Sequence, residues 1–183
     1  GGYDSAPEKI ARDLADMTSS KQPATLMVSG IQTSPELATF ANGVMIRYLD
    51  FNDGYITPIA SGHPSDCLAA LFAASEVAGS TGKDLLLATV LAYEVSCKMD
   101  DIFDLRGTGL DQSTILGLAS LVGSARLMGL TRDQLVHAIS IMVGGNTALN
   151  QGRIGALSNW KDFAAAEGSR KAIFINQLAQ AGM

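Results

Sequence analysis

The stretch QSTILGLASLVGSARLM over 112–128, followed by Gly129-Leu130 and then TRDQLVHAISIMV over 131–143, reads as two helices in an antiparallel hairpin. Thr131 and Gln134 have the spacing of a capping box, in which each side chain satisfies an otherwise unpaired backbone N–H of the first turn. Gly129 stands where a helix stops, because glycine tolerates the left-handed conformation that ends it. Aromatic residues make up only 6% of the 183 residues, while glycine and alanine are abundant, a composition that suits helices packed through small side chains. The expected fold class is therefore all-α.

The chain on either side of the hairpin agrees. Ser5-Ala6-Pro7-Glu8 opens a short amphipathic run with Ile10, Leu14 and Met17 on one face, broken at 19–23. Residues 24–30 are β-like without an obvious partner, and so either a small edge element or an extended connector. Ser34-Pro35-Glu36 places a cap and an N-terminal proline before a helix to about residue 49. Further helices are expected over 64–78, 84–99 and 158–181, separated by a glycine break at 79–82, an acidic loop over 100–111 and an irregular stretch over 144–156. No repeat, linker or low-complexity tract divides the chain, so 1–183 is expected to form a single domain.

Composition removes several functions. Thirteen basic against eighteen acidic residues leave a net charge of −5, with no basic field to displace counterions from a nucleic acid. Cys67 and Cys97 are the only cysteines, too few for a disulfide framework, a cysteine-built zinc site or an iron–sulfur cluster. No stretch has the roughly 18 uncharged apolar residues that a membrane span needs, and the first residues lack a leader-like pattern. A cytoplasmic protein without metal or other cofactor is expected.

Residues able to carry chemistry fall in the irregular stretches. His63 precedes Pro64-Ser65-Asp66, at the start of a helix, where an unprotonated imidazole is placed to accept a proton. Asp50 or Asp53 is within reach to hold one ring nitrogen and free the other as base. The plainer alternative is that Asp50 caps its helix region and His63 decorates the next start. Lys161 follows Trp160 early in the last helix, an unfavourable place for a cation unless an anion is also there. It is either a hint of anion binding or a solvated lysine whose stem covers the indole. Residues 47–111 carry ten acidic and four basic residues, and 153–183 carry four basic and two acidic, so a positive C-terminal patch could meet a carboxylate, the acidic middle of the chain, or another copy. His137, inside the 131–143 helix, reads as structural.

Together these segments resemble the MmgE/PrpD family. The resemblance rests on Asn42-Gly43, Tyr48-Leu49-Asp50-Phe51-Asn52-Asp53, Gly62-His63-Pro64-Ser65-Asp66, Ala92-Tyr93-Glu94, Gly109-Leu110-Asp111-Gln112, Gly129-Leu130-Thr131 and Leu157-Ser158-Asn159-Trp160-Lys161, met in order from about residue 25 onward. It implies a helical-bundle domain and a cofactor-independent lyase of small di- or tricarboxylates, of the 2-methylcitrate dehydratase kind, and usually a homodimer. His63 would be the acid/base and Asp50 its catalytic or orienting neighbour. Lys161, Asp53 and Gln112 would bind substrate. Where members often carry a histidine this chain has Gln112, which can hydrogen-bond a carboxylate but cannot shuttle a proton. Decarboxylation of the cis-aconitate type, epimerisation and a non-catalytic helical assembly module are the alternatives. Members are considerably longer, so the resemblance also implies a fragment without the smaller α/β lid domain, inactive by itself.

Overall fold

Hydroxyl caps open four of the eight helices among the described residues. Ser5 accepts from the Glu8 N–H ahead of α1 (Ala6–Asp16), and Ser34 accepts from the Leu37 N–H ahead of α2 (Pro35–Arg47). The computed structural model describes residues 2–183, and every side chain among them except those of Arg106 and Asp162. Between α1 and α2, β1 (Ala24–Thr25) pairs antiparallel with β2 (Gln32–Thr33), so the β-like stretch has a two-residue partner. Buried Asn42 pins this hairpin to α2, accepting from the Met27 N–H at 2.9 Å and donating to the Thr25 carbonyl at 3.0 Å.

The segment after α2 is more ordered than its composition suggests. β3 (Tyr55–Ile56) and β4 (Ser61–Gly62) form a second small hairpin, and Pro64–Cys67 make a 3-10 turn that runs into α3 (Leu68–Ala78). α4 (Gly82–Ile102) begins two residues earlier than expected, because Thr81 and Asp84 form a capping box of their own. It also continues through Asp100 into the stretch read as an acidic loop. A short α5 (Leu105–Thr108) precedes α6 (Ser113–Met128) and α7 (Arg132–Gly145), which form the expected hairpin with the Thr131–Gln134 capping box in place. A 3-10 turn over Asn150–Arg153 leads to α8 (Trp160–Gln180). Among the described residues the fold is all-α apart from the two short hairpins and an isolated bridge between Leu110 and Leu149.

Helix α8 lies between α2 and α6, and α3 packs against the same two helices as well as against α8. Small residues allow this approach. A Cβ on Gly43 would lie 2.9 Å from the Ala166 Cβ, and one on Gly168 would lie 2.8 Å from the Ser113 carbonyl oxygen. One cluster joins α1, α2 and α8 through Ala11, Val44 and Phe163, and a second joins α3, α4 and α6 through Leu71, Ala92 and Ala119. A third packs Leu121, Met142 and Ile175 between α6, α7 and α8. Full burial of side chains such as Leu71, Leu121 and Ile173 stabilises the fold by about 1.5–3 kcal/mol each. On α1 the packed face is Pro7, Ala11 and Ala15, whereas Ile10, Leu14 and Met17 stand in solvent. No helix among the described residues is long and apolar enough to cross a membrane.

Candidate active site

The end of α2 creates the first wall of the site. Asp50 adopts φ +53°, a left-handed conformation that aspartate tolerates better than most residues, and the chain reverses there. The reversal folds the Asp50 carboxylate back onto the guanidinium of Arg47, three residues earlier on the last turn of the helix. From the far side, Lys161 on the first turn of α8 donates from Nζ to Asp50 Oδ2 at 3.0 Å. A lysine near a helix N-terminus is thus compensated by a carboxylate brought from 111 residues away. Partial burial pushes Asp50 up, but the hydrogen bonds from Lys161 and Arg47 outweigh it and hold the carboxyl at about 2.

The β3–β4 hairpin delivers His63. Thr57 Oγ1 donates to the Asp100 carbonyl at 2.9 Å and accepts from the Ala60 N–H, while Tyr55 Oη donates to Asp101 at 2.9 Å. These bonds fix the hairpin on the last turns of α4. Ala60 packs with Leu105 and Ile115 beneath it. His63 Nδ1 lies 2.7 Å from the Asp53 carbonyl oxygen. A carbonyl only accepts, so Nδ1 carries a proton and Nε2 of the neutral ring keeps its lone pair. That nitrogen is 3.7 Å from Asp50 Oδ1. The residue that holds the ring is therefore Asp53, through its backbone. The Asp53 carboxylate instead accepts from the Ser65 N–H at 3.1 and 3.2 Å, at the start of the 3-10 turn before α3.

Asp50, His63, Lys161 and Gln112 line one cleft of about 510 Å³, together with Arg47 and Arg153. Gln112 caps the N-terminus of α6 through its backbone and makes no side-chain capping bond. Asp53 is not among the cleft residues. Arg153 stands on the second 3-10 turn and grips buried Asp111 through Nε and, at 3.2 Å, through Nη2. Burial pushes Asp111 up, yet bonds from Arg153 and from Ser113 bring its carboxyl below the ordinary range. The turn is docked by bonds from the Asp111 N–H to the Ala148 carbonyl and from the Asn150 N–H to the Gly109 carbonyl, each 2.9 Å. An adjoining cavity of about 360 Å³ shares Asp111, Arg153 and Lys161 and is walled by Trp160, Leu149 and Ala164.

Sequence reasoning missed Arg47, Asp111 and Arg153. Arg47 looks like an ordinary last-turn helix cation, although it is 4% exposed. The usable signal was its spacing to Asp50, three residues along a helix end. His137 is exposed on α7. Cys67 is buried, which pushes its thiol up to about 12. Among the described residues no three His, Cys, Asp or Glu side chains gather in an arrangement able to hold a metal ion.

The cleft thus gathers three cations, two carboxylates and an imidazole, a set suited to holding a polyanion and moving a proton beside it. The 2-methylcitrate dehydratase of Escherichia coli K12 is 29% identical over 180 residues, which cover 87% of this chain and 37% of that protein. The enzyme of the same name from Cupriavidus necator matches with the same identity and coverage. An alkylcitrate dehydratase of Talaromyces stipitatus is 31% identical over 165 residues, covering 81% of this chain and 31% of that protein. The chain spans about a third of the length of these curated relatives. The family model for the MmgE/PrpD N-terminal domain matches residues 1–183, and with a match across its whole length the chain belongs to the MmgE/PrpD family.

Proposed function

We propose that the chain is the helical part of a cofactor-independent hydro-lyase that removes water from a citrate-type tricarboxylate. The observation that carries this reading is the shared cleft, in which His63 Nε2 faces a carboxylate held by Arg47 and Lys161, with Arg153 and Gln112 in the same lining. The citrate-type substrate is supported by the names of the relatives, which are 2-methylcitrate and alkylcitrate dehydratases. Within this reading, Lys161 leaves Asp50 to meet a substrate carboxylate, and Arg153 and Gln112 bind a second one.

Dehydration then follows from the charges. His63 Nε2 takes the proton from the carbon next to a carboxylate, and the negative charge that develops on that carbon–carboxylate unit is neutralised by the fixed cations. The electron pair forms the double bond as the neighbouring C–O bond breaks. The imidazolium returns its proton to the departing hydroxyl, water leaves, and His63 is restored. Asp50 supports the imidazolium while it exists. Self-association belongs to the same reading, because Leu86, Leu87 and Val90 of α4 are each at least half exposed.

The test is ligand-induced thermal stabilisation with citrate, 2-methylcitrate, tricarballylate and succinate, run on this chain and on Lys161→Ala. A shift that is larger for tricarboxylates than for succinate and disappears in Lys161→Ala is the expected result. Absence of any shift, in protein that still unfolds cooperatively, refutes the assignment of this cleft as a carboxylate site.

A further inference from the structure

Behind Asp50 lies a second carboxylate. Asp66, at the 3-10 turn before α3, is 1% exposed. Its Oδ1 accepts from Asn52 Nδ2 at 2.8 Å, and its Oδ2 lies 3.5 Å from Arg47 Nε without a hydrogen bond. Arg47 therefore stands between two carboxylates, bonded to the one in the cleft and merely near the one in the core. Asn52 bridges the set, since its Oδ1 is 3.5 Å from Arg47 Nη1 and its Nδ2 also donates to Ser65 Oγ at 3.0 Å.

We propose that Asp66 is a positioning residue acting through Arg47: it competes with Asp50 for one buried guanidinium, and its charge sets how strongly Asp50 attracts Lys161 and His63. When Asp66 is ionised, Arg47 is shared and more of the Asp50 charge is left for Lys161 and the imidazole. With Asp66 protonated, Arg47 belongs to Asp50, the pull on Lys161 weakens, and the lysine is freer to meet another carboxylate. The groups that face Asp66 are Arg47 from α2, Asp53 from the loop after it and Arg153 from the turn before α8, with Cys67 beside it and the Ser169 hydroxyl on its carbonyl. Burial, opposed by Arg47, pushes the Asp66 carboxyl up to about 7, so both states are populated near neutrality.

This inference rests on reading Asp50, His63 and Lys161 as the reacting cluster, but its test needs no ligand. The Asp66 Cγ and His63 Cε1 resonances are followed against pH in the 183-residue chain, with exposed His137 as internal control. In the wild-type protein the His63 shift is expected to show an inflection at the pH where the Asp66 carbon titrates. In Asp66→Asn, which keeps the acceptor for Asn52, that inflection disappears. The His63 midpoint then falls by about 0.3 pH unit, a twofold loss of proton affinity, because a nearby negative charge is gone. His137 stays unchanged in both. A His63 curve without an inflection at the Asp66 midpoint in the wild-type chain overturns the proposal whether or not the variant folds, and so does an unmoved midpoint in folded Asp66→Asn. A failed thermal-shift experiment would instead count against carboxylate binding and leave this linkage standing.

Discussion

Leu71 and Gly123 occupy each other's space, and that invites a double-mutant cycle. A Cβ on Gly123 would lie 2.6 Å from Leu71 Cδ2, at the contact of α3 with α6, where Leu71 is 0% exposed. Leu71→Ala removes three buried carbons, which at about 0.8 kcal/mol each makes roughly 2.4 kcal/mol of lost transfer energy. The cavity left behind raises the cost to about 3 kcal/mol. Gly123→Ala alone gains about 1 kcal/mol of helix propensity. Against that it drives a methyl into Leu71 and lies only 3.1 Å from the Ala88 carbonyl oxygen and the Ala92 Cβ. Overpacking of this kind costs about 1–3 kcal/mol, so the single variant ends about 1 kcal/mol less stable. In the double variant the new methyl enters the space that Leu71 vacated, and the loss is expected to be about 1.5 kcal/mol rather than the additive 4. Urea unfolding followed by far-UV circular dichroism, at constant m, reads all four corners. Additivity within about 0.5 kcal/mol would refute the claim that the two residues share one volume.

Other predictions concern charge and caps. Lys161→Met removes a hydrogen bond that holds Asp50 down, so its carboxyl should rise from about 2 toward the ordinary 3.8, as read from the Cγ shift; a value still near 2 would mean that Arg47 alone sets it. Asp66 and Asp100 are raised to about 7 and about 6, so the folded chain holds more protons than the unfolded one between 3.8 and those values, and their contribution is lost as pH rises through that window. Asp50, lowered from 3.8 to about 2, works in the opposite sense and loses its contribution as pH falls through that interval. The urea midpoint should therefore peak at about pH 3.8, where the two trends meet, and decline toward 7, with a shallower decline in Asp66→Asn. Thr131→Ala removes the hydroxyl of the α7 capping box and should cost about 1 kcal/mol in the same assay.

Elements with a local chemical reason to exist could be read directly. The caps at Ser5, Ser34 and Thr131 act through neighbours three residues away, so their effect is visible in a short window of sequence. The β3–β4 hairpin was invisible by the same logic. Its strands are two residues long, and what holds it is the Asp100 carbonyl and the Asp101 carboxylate, 43 and 46 positions from Thr57 and Tyr55. On α1 the apolar stripe of Ile10, Leu14 and Met17 misleads because the close approach to α2 needs the small faces of Ala11 and Ala15. At the candidate site, His63, Asp50, Lys161 and Gln112 were singled out more by resemblance than by spacing. Arg153 and Asp111 went unnoticed because their pairing joins an irregular stretch to a helix start 42 residues earlier. Asp50 or Asp53 was expected to hold a ring nitrogen of His63, and Asp53 does so through its backbone carbonyl, a role that no residue type announces.

The placing of α8 between α2 and α6 has a consequence for how the protein is born. Lys161 is synthesised 111 residues after Asp50, and at about 5–20 residues per second a ribosome needs roughly 5–20 s to cover that distance. During that interval Gly43, joined by Gly117 once α6 has been made, presents a surface that α8 has yet to cover, and Asp50 has no lysine. Docking of α8 is therefore the single late event that both closes the contacts with α2 and α6 and gives Asp50 its lysine.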